Sequence, residues 1–155
     1  LDDGDALVES VSILHHLDGL VPPERALHPR EEPARRRSLK VSALASGLAD
    51  KAVSLFYERK LHETPSALWE ERCLRQIHGT LAALEADRAA RAGPYWFGDR
   101  IGHADIAVAA SVRHMREPHP DLADLGGFPA LSDHCERMEA LPVFREISQP
   151  FIPPA

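Results

Sequence analysis

Hydrophobic positions recur at three- and four-residue steps along almost the whole chain, and that period predicts a bundle of helices. The clearest run extends from about Ala34 to Leu61, where Val41, Leu44, Leu48, Ala52, Leu55 and Phe56 share one face. The neighbouring face is small: Ser42, Ala45, Ser46, Gly47 and Ala49. Gly inside a helix costs roughly 0.5–1 kcal/mol against Ala. Either a close approach by another backbone or a ligand offsets that cost, or it goes uncompensated. HETPSALWEE then supplies a cap, with Thr64 or Ser66 as N-cap and Pro65 in the first turn. The helix that follows is expected to carry Leu68, Leu74, Ile77, Leu81 and Leu84 inward and to end near Gly93-Pro94. A third runs from about His103 to Arg116, with Ile106, Val108, Ala109 and Val112. Beyond the loop EPHPDLADLGG, Pro129 opens a helix to about Leu141, Pro142-Val143-Phe144 starts a short last one, and SQPFIPPA is an extended tail.

The opening of the chain breaks this period. Asp2-Asp3-Gly4-Asp5 is a turn signal, Ala6 to Val8 is a short strand-like run, and Glu9-Ser10 starts a helix carrying Ile13, Leu14 and Leu17. Gly19 is placed to end that helix in a left-handed turn. A lone strand leaves its ladder groups unpaired. Either Ala6–Val8 is no strand, or its partners lie upstream of Leu1. Pro22, Pro23, Pro29 and Pro33 then break the chain into a linker. The fold expected is mainly α: one strand-helix piece followed by four or five helices.

Composition narrows the function classes. The 155 residues suffice for one compact domain, or one domain with a remnant of another. A net charge of −6 argues against nucleic acid as a partner, because such binders neutralise phosphates. Arg35-Arg36-Arg37 follows Glu31-Glu32 and reads as a solvated helix surface. No apolar run approaches the roughly 18 residues of a membrane span, so no membrane partner is expected. Cys73 and Cys135 form no CxxC and suit a reducing compartment; with no leader-like opening, the expected location is cytoplasmic. The histidines form neither HxxxH nor HExxH, so no metal is expected. Phe56, Tyr57, Trp69 and Trp96 either line an apolar pocket or belong to plain core.

The most informative stretch is GDRIGHADIA. Gly102 serves as N-cap, Asp105 falls at the third helical position, and Ile106 can pack back on Ile101. This is a hydrophobic staple with half a capping box: Asp105 accepts from the backbone N–H of Gly102, which has no hydroxyl to return the bond. The segment resembles the capping-box and staple segment of the glutathione transferase superfamily, although Gly102 stands where that family usually has Ser or Thr. FPALSDHCERMEALPVFRE is similar to the family's next helix, in Pro129, Leu131, Arg137, Met138, Pro142 and Phe144.

The resemblance implies a glutathione transferase C-terminal helical bundle preceded by a remnant of a thioredoxin-like α/β domain. Residues 1–21 would be the remnant, with Ala6–Val8 its last strand, 22–33 the linker, and 34–155 the helical domain. Glu9-Ser10 is similar to the pair that holds the γ-glutamyl end of glutathione, the co-substrate: helix N–H groups and the Ser10 hydroxyl for the carboxylate, Glu9 for the ammonium. The alternative is Ser10 as a plain N-cap. Asp50 is the weaker candidate, reaching a neighbour's site across a homodimer, or else an exposed helix acid. The thiol-activating residue is expected upstream of Leu1, so no catalytic residue is assigned within the chain. The implied activity is transfer of the glutathione thiol to a small hydrophobic electrophile, or a relative such as isomerisation. A non-catalytic interaction or stress-regulatory module is the rival.

Overall fold

The computed structural model describes residues 1–153. Six α-helices follow one another: α1 (Ser10–Gly19), α2 (Ala34–Leu61), α3 (Ala67–Ala89), α4 (His103–Arg116), α5 (Pro129–Glu139) and α6 (Pro142–Ile147). Single 3-10 turns stand at Pro23–Arg25 and Pro120–Leu122. Among the described residues no β-strand forms; Tyr95 and Gly98 make one isolated bridge around a tight turn. The mainly α class is therefore realised. Ala6–Val8 is exposed, non-strand backbone, and among the described residues nothing lies beside it to complete a ladder.

α2, α3, α4 and α5 make the bundle, with α2 against both α3 and α4, and α5 against α3 and α4. α4 is its spine. Along it His103, Ala104, Asp105, Val108, Ala109, Ser111, Val112 and Met115 are all buried. Val41, Leu48 and Leu55 of α2, Ile77 and Leu84 of α3 and Leu131 of α5 close the core around it. Each such side chain contributes roughly 1.5–3 kcal/mol on leaving water. Trp96 belongs to this core. Leu68 does not: it is 77% exposed, because it stands five residues before Cys73, a step that takes it off the buried stripe. α3 also ends at Ala89, short of Gly93-Pro94.

The ends of the helices are closed partly from afar. Ser66 is the N-cap of α3, its Oγ accepting from Trp69 N–H at 3.3 Å, so Pro65 precedes the cap instead of following it. Phe128 offers α5 no side-chain cap. Glu85 of α3 supplies it, accepting from the N–H of Ala130 (3.0 Å) and Leu131 (2.8 Å). Gly19 is not a left-handed terminator; α1 closes at Leu20 in right-handed backbone, with Leu20 N–H on the Leu17 carbonyl. Gly47 of the small face meets nothing, since a Cβ there would have no neighbour within 4 Å. No segment of the described chain therefore approaches it closely. Residues 148–153 are extended, and Pro154 and Ala155, the end of the predicted tail and of the 34–155 range, lie outside the described residues.

One buried group makes the core sensitive to acid. His134 of α5 is fully enclosed, edge-on to Trp96 with centroids 5.1 Å apart, and its Nδ1 has no partner among the described residues. Burial, reinforced by the charges of Arg88 and Arg137, pushes its pKa down to about 4. Between pH 6.5 and 4 the unfolded chain takes up a proton that the folded chain refuses. The stability linked to His134 is thus complete above pH 6.5 and is lost as pH falls toward 4. His134→Gln should flatten the dependence of unfolding free energy on pH in that window by up to about 1.4 kcal/mol per pH unit. Denaturant titrations at several pH values check this; equal slopes in both proteins would show that His134 is not the group responsible.

Candidate functional site

The N-terminus of α1 carries the Glu9-Ser10 pair. Glu9, at the N-cap position, sits at φ 69°, ψ 129°, the only non-glycine residue with positive φ among those described. Such backbone costs on the order of 1–3 kcal/mol in a residue with a Cβ. The Glu9 carbonyl accepts from Ile13 N–H at 3.1 Å, so the helix begins at once. No side chain caps this end, and both Glu9 and Ser10 are exposed, with neither side chain hydrogen-bonded among the described residues. Ser10 is therefore not spent as an N-cap. The turn offers backbone donors and a partial positive charge beside one hydroxyl and one carboxylate. That is a two-signed surface, able to take an anion and a cation side by side.

α1 is aimed by its other end. It buries no residue in the bundle; Leu14 is half-buried while Ile13 and Leu17 remain exposed. Asp18 anchors it instead. Its two carboxylate oxygens accept from the N–H groups of Leu27 and His28, each at 2.9 Å, and Oδ1 lies 3.3 Å from His103 Nε2 at the start of α4. Burial raises the carboxyl pKa, but these two backbone donors and His103 together hold it below the usual carboxylate value. Arg30 crosses to the carbonyls of Asp18 and Val21, and His28 Nδ1 reaches Ser38 Oγ of α2 at 2.8 Å. Arg35 of α2 meets His15 of α1 at 2.9 Å.

The linker is seated in turn on the α4 cap. The Leu27 carbonyl accepts from His103 N–H at 3.0 Å, and a Cβ on Gly102 would lie 2.7 Å from that same oxygen. The backbone of Gly102, φ −134° and ψ 176°, is open to any residue; the space is not. Asp105 Oδ2 accepts from Gly102 N–H at 2.9 Å, the expected half-box. Its Oδ1 also accepts from Trp96 N–H at 2.7 Å, tying down the loop after α3. Burial raises the Asp105 pKa, against the pull of those two donors and of Arg88. Ile101 and Ile106 pack against one small cluster of Ala109, Met138 and Phe144.

Asp50 lies on the solvent face of α2, in a stripe with Gly47, Ser54 and Tyr57, and among the described residues no contact joins it to Glu9 or Ser10. Further along α2, a cavity of about 90 Å³ is walled by Ala52, Phe56, Tyr57, His114 and Phe151. A larger hollow of about 340 Å³ lies between α4 and α6, walled by the staple residues Ile101 and Ile106 with Phe144 and Ile147. Neither cysteine serves as a nucleophile: both are buried, and burial raises the Cys73 thiol and pushes Cys135 up to about 12. Among the described residues no cluster of three or more His, Cys, Asp or Glu is arranged to hold a metal, and no helix is long and apolar enough to cross a membrane.

Residues 67–137, covering α3 to most of α5, match the family model of the glutathione S-transferase C-terminal domain. A glutathione transferase family member from Pseudomonas fluorescens, solved with bound S-(propanoic acid)-glutathione, is 30% identical and superposes with a TM-score of 0.82, over 98% of this chain and 74% of that one. The chain belongs to the glutathione transferase family. A glutathione S-transferase from Methylobacillus flagellatus with glutathione bound shares the fold at a TM-score of 0.84, with 24% identity over 94% of this chain and 71% of that one. A probable maleylacetoacetate isomerase 2 from Drosophila melanogaster is 26% identical over 98% of this chain. The chain spans 65% of that relative's length.

In this glutathione transferase chain, the anchors Asp18, Leu27 and His103 and the second bond of Asp105 escape a reading of the sequence. Only the placing of Asp18 at the mouth of a proline-broken linker hints that a carboxylate is needed there. The cap has a counter-intuitive consequence. Gly102→Ser restores the hydroxyl of a full box yet should lower stability, by about 1–3 kcal/mol, because the new Cβ drives the Leu27 carbonyl off His103. Asp105→Ala should cost more, roughly 2–5 kcal/mol, leaving the N–H groups of Trp96 and Gly102 without acceptors. Denaturant melts test both, and a stabilised Gly102→Ser protein would mean the linker yields freely.

Proposed function

We propose that the whole protein is a glutathione-dependent enzyme, transferring the glutathione thiol to a small hydrophobic electrophile, and that this chain supplies the grip on the γ-glutamyl end. The observation that carries the reading is the start of α1: strained backbone at Glu9 with the Ser10 hydroxyl and the first-turn donors unused. The amino-acid end of glutathione is a zwitterion, and this surface has the matching signs. The first-turn N–H groups and Ser10 receive its carboxylate. Glu9 receives its ammonium, aided by Asp50 of the partner subunit in a homodimer.

The domain assignment belongs to the same reading: residues 1–21 a remnant of a thioredoxin-like glutathione-binding domain, 22–33 the linker and 34–155 the helical domain, in a cytoplasmic protein. The thiolate forms its bond to the electrophilic carbon as the leaving group departs, and the thiol proton passes to solvent. The apolar cavity beside Phe56 and Tyr57 is the candidate seat for the electrophile. A second reading, glutathione-dependent isomerisation, is favoured by the likeness to the probable maleylacetoacetate isomerase. There the thiolate adds to an unsaturated carbon, the bond rotates, and the thiolate leaves again. Turnover of maleylacetoacetate against a halogenated electrophile separates the two.

Ser10→Ala in the whole protein should weaken glutathione binding by about 1–3 kcal/mol, roughly a 5- to 150-fold rise in Kd, with the melting temperature little changed, since the Ser10 hydroxyl has no partner among the described residues. Calorimetric titration with glutathione measures it. An unchanged Kd sinks the assignment of this helix end.

A further inference from the structure

At the end of α1 away from Glu9, a polar hollow opens between that helix, the linker and the first turn of α2, lined by His15, Asp18, His28, Arg30 and Arg35. Of the three consecutive arginines, Arg36 and Arg37 are exposed, while Arg35 is half-buried and turned to this hollow. Its guanidinium lies 2.9 Å from His15 Nε2. Arginine only donates, so the His15 ring accepts there and is neutral. Arg30 donates to the carbonyls of Asp18 and Val21, which masks the negative end of α1. Neither guanidinium pairs with a carboxylate among the described residues. The one acid in the hollow, Asp18, is already met by the N–H groups of Leu27 and His28 and by His103. Glu31 and Glu32 are exposed, and Glu32 faces Arg36 at 3.7 Å. α2 starts with no side-chain cap and no acid in its first turn, so its positive end adds to the field.

In a chain of net charge −6, this is a local surplus of cations without counter-charge. The surplus is felt at His28, whose ring lies 4.5 Å from that of His103 and whose Nδ1 reaches Ser38 Oγ at 2.8 Å. Burial first, then the charge of His103, pushes its pKa down to about 4; Arg35 and His15 push the same way, and Asp18 pulls back. A guanidinium is a planar fork that matches two oxygens. A carboxylate fills one fork, whereas a tetrahedral oxyanion presents an edge to each of two. We propose that this hollow binds a dianionic phosphate group, gripped from two sides by the guanidiniums of Arg30 and Arg35. The bound group ties α1 to α2 across the linker. The site stands at the opposite end of α1 from the glutathione surface and does not depend on the proposed reaction.

The test uses the whole protein at low ionic strength, with inorganic phosphate as the probe. Calorimetric titration gives affinity, NMR of the histidine rings gives place, and thermal melts confirm that each variant is folded. Phosphate should bind saturably, shift the ring signals of His15 and His28 more than those of the buried His119 and His134, and raise the titration midpoint of His28. Arg35→Gln should weaken phosphate binding about tenfold or more, through loss of a charge-assisted fork. Arg36→Gln removes the same charge one residue away, from a side chain turned to Glu32, and should change Kd by no more than about twofold. Saturating glutathione should leave the Kd for phosphate within about twofold, because the two sites are distinct. A nucleoside monophosphate, titrated next, separates the sources: tighter binding than inorganic phosphate assigns the site to an organic phosphate, equal binding to the free ion, and both support it. Absence of saturable binding, unmoved His15 and His28 signals, equal losses in the two variants, or displacement by glutathione each overturns the proposal.

Discussion

The approach of the Leu27 carbonyl to Gly102 is the constraint on which the arrangement of this molecule depends. It brings the linker backbone within bonding distance of the first turn of α4, where any Cβ would hold it off. Two carboxylates complete the junction from opposite sides, Asp18 from α1 and Asp105 from α4. Because α1 buries no side chain, hydrophobic packing says little about its direction. Hydrogen bonds contribute only modest net energy, but they are directional, and here they set the angle of the helix. A helix of ten residues is a lever about 15 Å long, so an anchor at Asp18 governs where the donors beside Glu9 and Ser10 point.

Carboxylates serve this fold as caps more than as ion-pair partners. Glu58 accepts from Ser66 N–H, Glu85 from two N–H groups of α5, Asp18 from two of the linker, and Asp105 from Trp96 and Gly102. Each meets orphaned backbone donors that would otherwise be exposed to desolvation, and each joins two segments distant in sequence or in space. Exposed pairs such as Arg36–Glu32 and Arg75–Glu71 add little beside them. Arg59 is the exception: it binds Glu70 and Asp121 together, and His119 next to it bonds the Ala52 carbonyl, so the C-terminal end of α2 is held as a unit.

Local periodicity gave α2 and α4 to the residue, because long stripes and a stapled start leave one solution. What periodicity does not show is mostly set from elsewhere in the fold. Ala6–Val8 has strand composition, but a strand exists only beside another. Leu68 is apolar and reads as inward, but the phase of the stripe, set by Cys73 and Ile77, leaves it in water. Gly19 has the residue type of a terminator, yet the neighbouring Asp18 is engaged with the linker and the helix closes without left-handed backbone. At the candidate site, Glu9 and Ser10 were visible as a pattern. The positive φ of Glu9 and the anchorage of α1 were not, since both depend on how the linker folds back. The sequence shows Gly102 only as an N-cap without a hydroxyl; the position of the Leu27 carbonyl makes it a steric requirement.

α4 therefore joins two surfaces of different character. Its N-terminal end is locked by backbone contacts to the linker, which fix the polar end of α1 and leave little freedom for substitution. Its C-terminal end carries His114, which lines an apolar cavity, and Glu117, which accepts from the N–H of Phe151 beside it. Between them lie rigid, close-packed turns from Ala104 to Met115. Substitutions at the second end can reshape the cavity without passing strain to the first. Along a single helix, an end locked by backbone contacts and an end lined by apolar side chains are thereby kept apart.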